Sequence, residues 1–231
     1  PPATSSAASD VYKRQPSTAS TNLIDRTIES IPNSSCLILS DYGLGVLDDA
    51  GAERLIAAAK KHNVPIIADP KLTGLHRTQG VDWVLFQSKG LELMRRRLGA
   101  TTGAEAAAML LESNDWKHLL ILEGQDGVTI HSRNENTVHV QCMLEEIRQM
   151  IGLIDAAAVA VATAITLGLS VEETAQLANA ASECILIADR TDRFVLRLDD
   201  MVNRIGEIAW SLQVSKRGGY PMSSWLRPTT A

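Results

Sequence analysis

Hydrophobic positions concentrate most strongly in one stretch, Gln149–Gly168, which reads QMIGLIDAAAVAVATAITLG and contains a single ionisable residue, Asp155. The alanine-rich pattern that follows Gly152 predicts a buried helix with Asp155 in its first turn. The overlapping run Ile151–Leu169 is long enough to be considered as a membrane span. Its Asp, its weakly apolar alanines and the absence of flanking basic or aromatic anchors favour a core helix instead.

Shorter apolar runs alternate with helical patterns along the rest of the chain. Ser35–Ser40 predicts a strand, Asp48–His62 a helix and Ile66–Ala68 a second strand. This order within about 35 residues indicates a βαβ unit with parallel strands and a right-handed crossover. Ser170 with Glu173 three residues later forms a capping box that marks a helix start. Further strands are predicted at Val81–Phe86, Leu119–Leu122, Val128–His131 and Val138–Val140, and further helices at Ser88–Leu98, Ala104–Glu112, Val171–Ile187 and Met201–Leu212. The alternation predicts an α/β fold with a mostly parallel sheet flanked by helices.

The first 22 residues are rich in Pro, Ser, Thr and Ala without periodicity, and they are predicted to be disordered. Within them Ser5–Gln15, SSAASDVYKRQ, resembles the translation of a common sequencing adapter, and our hypothesis is that it is an artefact of sequence assembly. Finding those codons inside the uninterrupted source gene would contradict this hypothesis. The predicted organisation is residues 1–22 outside the fold, one domain over residues 23–200, and a C-terminal helix with a linker-like tail over residues 201–231.

Composition and charge exclude several classes of function. The net charge is −5 and no cluster of Lys or Arg is interleaved with aromatic residues, so nucleic-acid binding has no electrostatic basis. Cys36, Cys142 and Cys184 lack the spacing of a zinc site or of a disulfide framework, which favours a reducing cytoplasm. The five histidines are scattered and form no recognisable pattern with a nucleophile, so no hydrolase triad is predicted.

Two features carry candidate chemistry. Asp155 in the first turn of a helix lies at the positive end of the helix dipole, which suits a group that handles a phosphate and a hydroxyl proton. An ordinary capping Asp is the alternative. Asp41 and Asp69–Lys71 follow the first two predicted strands, and the carboxyl ends of parallel strands are where α/β proteins bind ligands. A turn cap at Asp41 and a strand-terminating turn at Asp69–Lys71 are the alternatives. The triplet Arg95–Arg97 is interpreted as a solvated helix end rather than a phosphate clamp.

Five short segments follow one another in an order and spacing typical of one enzyme family. SDYGLGVL at Ser40–Leu47 followed by VPIIADPK at Val64–Lys71 is the more specific pair, and Glu123–Thr129, Gly152–Asp155 and Ala178–Ala181 support it. Together they resemble the ribokinase, or PfkB-type, carbohydrate kinases. The nearest branch is that of the heptose-7-phosphate kinases of ADP-heptose synthesis.

This resemblance implies ATP-dependent phosphorylation of a sugar phosphate, with Mg²⁺ bridging the nucleotide phosphates and no metal ligand assigned within the chain. In the family the Asp of a Gly-Ala-Gly-Asp turn takes the proton from the sugar hydroxyl, and backbone amides of the turn form an anion hole. These catalytic roles fall here to Asp155 and Gly152. The implied partners are a sugar phosphate and a nucleotide, without nucleic acid or membrane, and a homo-oligomer stays open. The resemblance assigns Gly124, Gly127 and Asn179 to nucleotide binding, and Asp41, Asp69 and Lys71 to the vicinity of the substrate or phosphate. For Asn179, a hydrogen bond to neighbouring backbone is the alternative.

Several positions depart from the family pattern. The second glycine of the turn is Ile154, whose branched side chain would be strained if that position needed a positive φ. Gln87–Gly90 stands where the family has an Asn-x-x-Glu that organises water and magnesium. Further departures are Leu44, Leu122, Gln125, Gln149–Ile151 and Ala188–Thr191.

The departures leave three interpretations open. The chain is an impaired sugar kinase, or a pseudoenzyme with the kinase fold that retains nucleotide or partner binding, or a structural interaction domain. Phosphoryl transfer depends on positioning and on charge stabilisation, so the departures favour loss of catalysis. By the same comparison the N-terminal strands and lid of the family are missing, which predicts an exposed sheet edge. Lys216–Gly218 resembles the linker that precedes a nucleotidyltransferase domain, but no HxGH motif follows it.

Overall fold

The computed structural model describes residues 18–189 and 196–215. The adapter-like segment and the linker-like residues Lys216–Gly218 lie outside these ranges. The helices are α1 (Thr18–Ser30), α2 (Asp49–Lys61), α3 (Ser88–Leu98), α4 (Gly103–Ser113), α5 (Leu153–Leu167), α6 (Val171–Ile187) and α7 (Leu198–Ser215). The strands are β1 (Leu37–Asp41), β2 (Ile66–Pro70), β3 (Trp83–Gln87), β4 (His118–Leu122), β5 (Val128–Ser132) and β6 (Val138–Val140). Short 3₁₀ turns occur at Ile31–Asn33, Leu72–Thr78 and Gly124–Asp126.

The strands form one mixed sheet in the order β1–β2–β3–β4–β5–β6. β1 and β2 are parallel, with Leu37 opposite Ile66 and Asp41 opposite Pro70, and β2 and β3 are parallel as well. β5 and β6 form an antiparallel hairpin. The predicted α/β class with helices flanking the sheet is confirmed. β1 is the last strand at one side of the sheet, where an exposed edge was predicted.

The described chain divides into two compact units. The first contains the residues up to Ile121 together with His131–Thr137, and the second contains Leu122–Ile130 and the residues from Val138 onward.

The first unit is built around β2, whose five residues are all buried. Leu55 and Ala59 of α2 belong to the same core cluster as Ile66 of β2. α2 begins where the side chain of Asp48 accepts a hydrogen bond from the amide of Gly51, which satisfies one of the unpaired donors of the first turn. This strand and helix place the polar ends of β1 and β2 at the same edge of the sheet.

The second unit is dominated by α5 and α6, which pack against each other. The buried side chains of both helices are mostly small, and α5 buries five alanines and a valine along its length. The predicted capping box is confirmed, since Ser170 and Glu173 bond reciprocally to each other's backbone amides at 2.8 and 3.2 Å. None of the helices in the described ranges is long and apolar enough to cross a membrane.

One sequence expectation is corrected at the N-terminal end. Residues 18–22 were expected to be disordered, but they form the start of α1, and no helix was predicted over residues 23–30. α1 buries Ile24 and packs Ile28 against the core of the first unit. Because this helix is stabilised by tertiary packing rather than by a strong local pattern, its sequence alone gave little signal.

Candidate functional site

The start of α5 combines a glycine in a left-handed conformation with an exposed carboxylate. Gly152 occupies the N-cap position with φ +81°, and a Cβ at that position would find open space. Leu153 is buried, whereas Asp155, the third residue of the helix, is exposed. Gly152 occupies the N-cap position, so Asp155 is the third residue of the helix and not its N-cap. The carboxylate lies beside the amides of the first turn, which have no partner within the helix.

Ile154 is tolerated at this turn because of its position within the helix. It is the second residue of α5, and in the described chain positive φ among non-glycine residues occurs only at Asn63, Asp115 and Asn134. The backbone strain considered from the sequence is therefore absent. Ile154 also keeps its backbone amide, so the departure from the family pattern adds bulk without removing a donor.

Gln149 fixes the segment that leads into this turn. Its buried side chain donates from Nε2 to the carbonyl of Ile185 at 2.6 Å and accepts from the amide of Ile151 at 2.8 Å. The amide of Arg148 donates to the carbonyl of Leu186 at 2.8 Å. The approach to Gly152 is thus fastened to the last turn of α6, which orders the turn before any ligand arrives.

The turn between β4 and β5 contains two glycines with positive φ, +65° at Gly124 and +102° at Gly127. A Cβ on Gly127 would lie 2.0 Å from the carbonyl oxygen of Val140 and 2.7 Å from the amide nitrogen of Cys142. Gly127 is therefore required by the close approach of the backbone after β6. The fold therefore explains the glycine at position 127 without a ligand. The contact of Gly127 with a nucleotide stays a prediction.

A polar cluster beside this turn was missed in the sequence. The hydroxyl of Thr129 is 2.7 Å from Oε2 of Glu123 and 2.9 Å from Nδ1 of His139, so it donates to the carboxylate and accepts from the imidazole. Thr129 is buried, and it lies opposite His139 in the antiparallel pair. The register of the hairpin could have predicted that Thr129 lies beside His139. The contact with Glu123 could not be predicted, because it depends on the geometry of the turn.

Asn179 is buried rather than open to a ligand. Its Nδ2 donates to Oε1 of Glu183 at 3.1 Å and to the carbonyl of Gln141 at 3.4 Å. Its Oδ1 is buried and accepts no hydrogen bond from the described residues. The expected alternative of a bond to neighbouring backbone is not what the structure shows, since the partners of Asn179 are the side chain of Glu183 and the distant carbonyl of Gln141. The assignment of Asn179 to the nucleotide stays a prediction.

Glu183 connects this position to α7. Its carboxylate is fully buried, accepts from the amide of Met143 at 2.6 Å, and pairs with Nε of Arg204 at 2.5 Å. Arg204 also binds Glu207 at 2.8 Å. Burial acts to lower the pKa of the Arg204 guanidinium, but its bonds to Glu183 and Glu207 outweigh burial and raise it. Arg204 therefore stays charged and secures α7 to α6.

In the first unit, the ends of β1 and β2 bring together the predicted residues Asp41, Asp69 and Lys71. Asp41 is buried, and its Oδ1 accepts from the amide of Gly43 at 2.8 Å, which confirms its role as a turn cap. The hydroxyl of Ser40 donates weakly to Oδ2 of Asp69 at 3.5 Å. The exposed Lys71 places Nζ 5.0 Å from the ring centroid of Tyr42.

Arg77 is the main residue of this edge that sequence reasoning missed. Its Nη1 binds Oδ2 of Asp41 at 2.8 Å, and its Nε binds Oδ1 of Asp49 at 2.7 Å. His76 contacts the same Asp49 oxygen at 2.8 Å. The bond from Arg77 and then that from His76 hold the pKa of Asp49 below its usual range, while the bond to Asp49 raises the pKa of Arg77. No sequence signal marked Arg77, because its partners lie 28 and 36 positions away.

The residues at the start of α3 do not form a magnesium site. Ser88 begins the helix and its first turn contains no acidic residue. Among the described residues, no group of three or more His, Cys, Asp and Glu side chains is arranged to hold a metal ion. Magnesium ions prefer carboxylate oxygens, so the chain's own residues here do not fit the metal that the family pattern implies.

Two arginines of the triplet at the end of α3 form ion pairs within their own helix. Arg95 and Arg96 both bind Glu92 on the same helix, and their hydrogen bonds lower the pKa of Glu92 to about 2. Arg95 also donates to the carbonyl of Ala100 at 3.0 Å, just beyond the C-terminal end of the helix. The interpretation of these residues as a helix end is confirmed.

His118, at the amino end of β4, contacts a serine of the neighbouring strand β5. Its Nδ1 lies 2.8 Å from the hydroxyl of Ser132, and its ring stacks on Trp83 with 4.1 Å between centroids. Burial lowers the pKa of this imidazole. The contact joins two strands and packs against the core, in keeping with a structural role.

Sequence comparison places this arrangement among known proteins. The curated relatives include the bifunctional protein HldE of Haemophilus influenzae, 28% identical over 166 residues, and that of Histophilus somni, 29% identical over 168 residues. These matches cover 71% and 72% of this chain but 34% and 35% of the relatives. The chain thus spans about a third of the length of the curated relatives that it matches.

Solved structures show the same fold at low sequence identity. Phosphofructokinase-2 from Escherichia coli in complex with potassium matches with a TM-score of 0.67 and 17% identity, covering 81% of this chain and 62% of that one. Arabidopsis thaliana ribokinase complexed with ribose and ATP matches with a TM-score of 0.60 and 19% identity, covering 78% and 59%. The family profile described as pfkB family carbohydrate kinase matches residues 11–191. The chain therefore belongs to the pfkB family of carbohydrate kinases.

Proposed function

We propose that the chain is a sugar kinase of the heptose-phosphate type, which transfers the terminal phosphoryl group of ATP to a sugar hydroxyl at a reduced rate. The observation that carries this proposal is the start of α5. There the exposed carboxylate of Asp155 lies in the first turn of the helix, directly after a glycine with φ +81°. A family member that has kept both features retains the parts needed for proton removal and for phosphate binding.

Each proposed role follows from the chemistry of its residue. Asp155 accepts the proton of the sugar hydroxyl as the new oxygen–phosphorus bond forms and ADP leaves. The amides of the turn at Gly152 stabilise the negative charge of the transferred group. The turn with Gly124 and Gly127, together with Asn179, is proposed to lie along the nucleotide. Asp69 and Lys71, beside Asp41, are proposed to serve the phosphorylated acceptor.

The reduced rate is proposed from the start of α3. The family pattern implies magnesium, which would neutralise charge on the nucleotide phosphates, but Gln87–Gly90 supplies no carboxylate to organise it. The same observation favours a second candidate function, a nucleotide-binding protein without catalysis. We propose the cytoplasm as the compartment, because ATP and sugar phosphates are available there. We also propose that the chain forms a homo-oligomer, which light scattering would measure.

Calorimetric titration of the whole chain separates the two functions. ATP is titrated with magnesium and, in a second series, with EDTA, and ADP release is then assayed with heptose 7-phosphate. Because the start of α3 supplies no carboxylate for the metal, a kinase would have to take up magnesium together with the nucleotide phosphates, so we expect ATP binding that needs magnesium. We also expect Asp155→Asn to lower turnover by about 10²–10⁴-fold while ATP affinity is unchanged. Glu172→Gln is the matched control, since Glu172 is also an exposed acid in the first turn of a helix, α6, and it should change neither quantity.

Other outcomes decide between the candidates. Binding of ATP that ignores magnesium, with no turnover, would support the nucleotide-binding protein without catalysis. A folded sample that binds no ATP in either series would contradict both functions and leave a structural interaction domain.

A further inference from the structure

Arg77 joins the two ends of one loop. Asp41 is the last residue of β1 and Asp49 is the first residue of α2, and the guanidinium of Arg77 bonds to both, at 2.8 and 2.7 Å. The seven residues between them, Tyr42–Asp48, are called the β1–α2 loop here. A single side chain thus fastens the loop immediately before its first residue and immediately after its last.

The β1–α2 loop itself is exposed and rich in glycine. Tyr42, Leu44 and Val46 are 53%, 78% and 54% exposed, and Gly43 and Gly45 both have positive φ. Such a segment has many accessible conformations, and fixing it requires restraints from outside the loop. The fork geometry of Arg77 supplies two of these restraints.

The same side chain ties the loop to the segment that carries Lys71. The amide of Lys71 donates to the carbonyl of Asp41 at 3.1 Å, and the amide of Gly74 donates to the carbonyl of Lys71 at 2.8 Å. A Cβ on Gly74 would lie 2.6 Å from Oδ2 of Asp41, so glycine is needed there for the Asp41–Arg77 pair to form. Arg77, Lys71 and the loop therefore form one connected structure.

The exposed groups of this structure are an ammonium beside an aromatic ring. Lys71 lies over the ring of Tyr42, and both side chains are exposed. Lysine binds phosphate as a point charge, and an aromatic face packs against the apolar side of a sugar ring. A phosphorylated sugar presents a phosphate and the apolar side of a sugar ring in one molecule.

We propose that Arg77 is a positioning residue for the phosphorylated acceptor, because it holds the β1–α2 loop in the conformation that keeps Tyr42 beside Lys71. This inference rests on the proposed kinase function and extends it. Asp41 then acts through Arg77 and Gly43 rather than by touching the acceptor, since both of its oxygens are engaged within the protein.

A purely stabilising ion pair would behave differently. Asp49 is 71% exposed on its side chain, and pairs of this kind contribute little to stability in water. Loss of the Asp49 bond should therefore leave the fold intact while releasing the far end of the loop. Arg77→Lys keeps the positive charge beside the buried Asp41, but an ammonium cannot reproduce the forked bridge to two carboxylates.

The test compares wild type, Arg77→Lys and Asp49→Asn in the full chain. For both variants we expect the KM for heptose 7-phosphate to rise about 10- to 100-fold, with the KM for ATP and the melting temperature nearly unchanged. Amide hydrogen exchange over residues 42–48 should become faster in both. Arg54→Met is the matched control, because Arg54 of α2 pairs with exposed Asp25 away from the loop, and it should change none of these quantities.

The outcomes separate this inference from the proposed function. A wild-type chain that binds neither ATP nor heptose 7-phosphate would overturn the kinase proposal, and the role of Arg77 toward an acceptor with it. A wild type that uses both, with an unchanged KM for the sugar phosphate in Arg77→Lys and Asp49→Asn, would overturn the role of Arg77 alone. Equal rises in the KM for heptose 7-phosphate and in the KM for ATP would contradict the positioning role and indicate that Arg77 is only structural.

Discussion

At the scale of single residues, Gly127 is where the second unit leaves least room for a side chain. Replacing it with alanine would place a methyl group against the carbonyl of Val140, at a φ of +102°. The clash involves backbone on both sides, so it cannot be relieved by a rotamer change. We expect Gly127→Ala to lower the free energy of unfolding by about 3–5 kcal/mol, measured by urea denaturation followed by circular dichroism.

Gly99 provides the matched control for this substitution. It ends α3 with φ +70°, and a Cβ there would meet nothing within 4 Å. Gly99→Ala tests the cost of a left-handed backbone (φ +70°, ψ +19°) without a steric clash, which should be about 1–2 kcal/mol. If the two variants lost the same stability, the close contact between Gly127 and the backbone after β6 would not be the reason for glycine at that position.

At the scale of elements, a buried ion pair between Glu183 and Arg204 joins α7 to α6. Arg204→Met would leave the carboxylate of Glu183 fully buried without its charged partner, and we expect a loss of about 3 kcal/mol in the free energy of unfolding. The double variant Glu183→Gln with Arg204→Met removes both charges but keeps an acceptor for the amide of Met143. It should therefore be more stable than Arg204→Met, in the same urea titration.

A substitution of Glu207 distinguishes the cost of the unpaired buried carboxylate from the loss of a surface ion pair. It pairs with the same arginine, but its side chain is 64% exposed, so Glu207→Gln should change stability by no more than about 0.5 kcal/mol. A double variant less stable than Arg204→Met would show that the pair is net stabilising and that burial of the lone carboxylate is not the dominant cost.

The elements also show what the sequence could and could not predict. α6 was predicted with its observed bounds because its capping box is local, and α3 because its pattern is strongly periodic. α1 was missed because its burial of Ile24 depends on the rest of the fold. Within the candidate site, the sequence identified Asp155 and Gly152 through a contiguous motif. It missed Arg77 because a contact between residues 36 positions apart has no local signal.

At the scale of the whole molecule, β4 and β5 each contribute residues to both compact units. The division falls between Ile121 and Leu122 in β4, and between Ile130 and His131 in β5. Neither unit can unfold completely while both strands stay intact, so we predict that the molecule unfolds in one cooperative transition. The slowest amides in β2 of the first unit and in α6 of the second should then exchange through the same global opening.

Gly127→Ala tests this cooperativity, because it perturbs the second unit only. If global opening governs both units, the slowest amides of β2 should exchange faster by the same factor as those of α6, about 100-fold for a loss near 3 kcal/mol. Hydrogen exchange measured by mass spectrometry, at a pH where reclosing is faster than exchange, gives both factors from one sample. Faster exchange in α6 with unchanged β2 would contradict the prediction. The two units would then unfold independently, with the break inside β4 and β5, and stability measured on one unit would say nothing of the other.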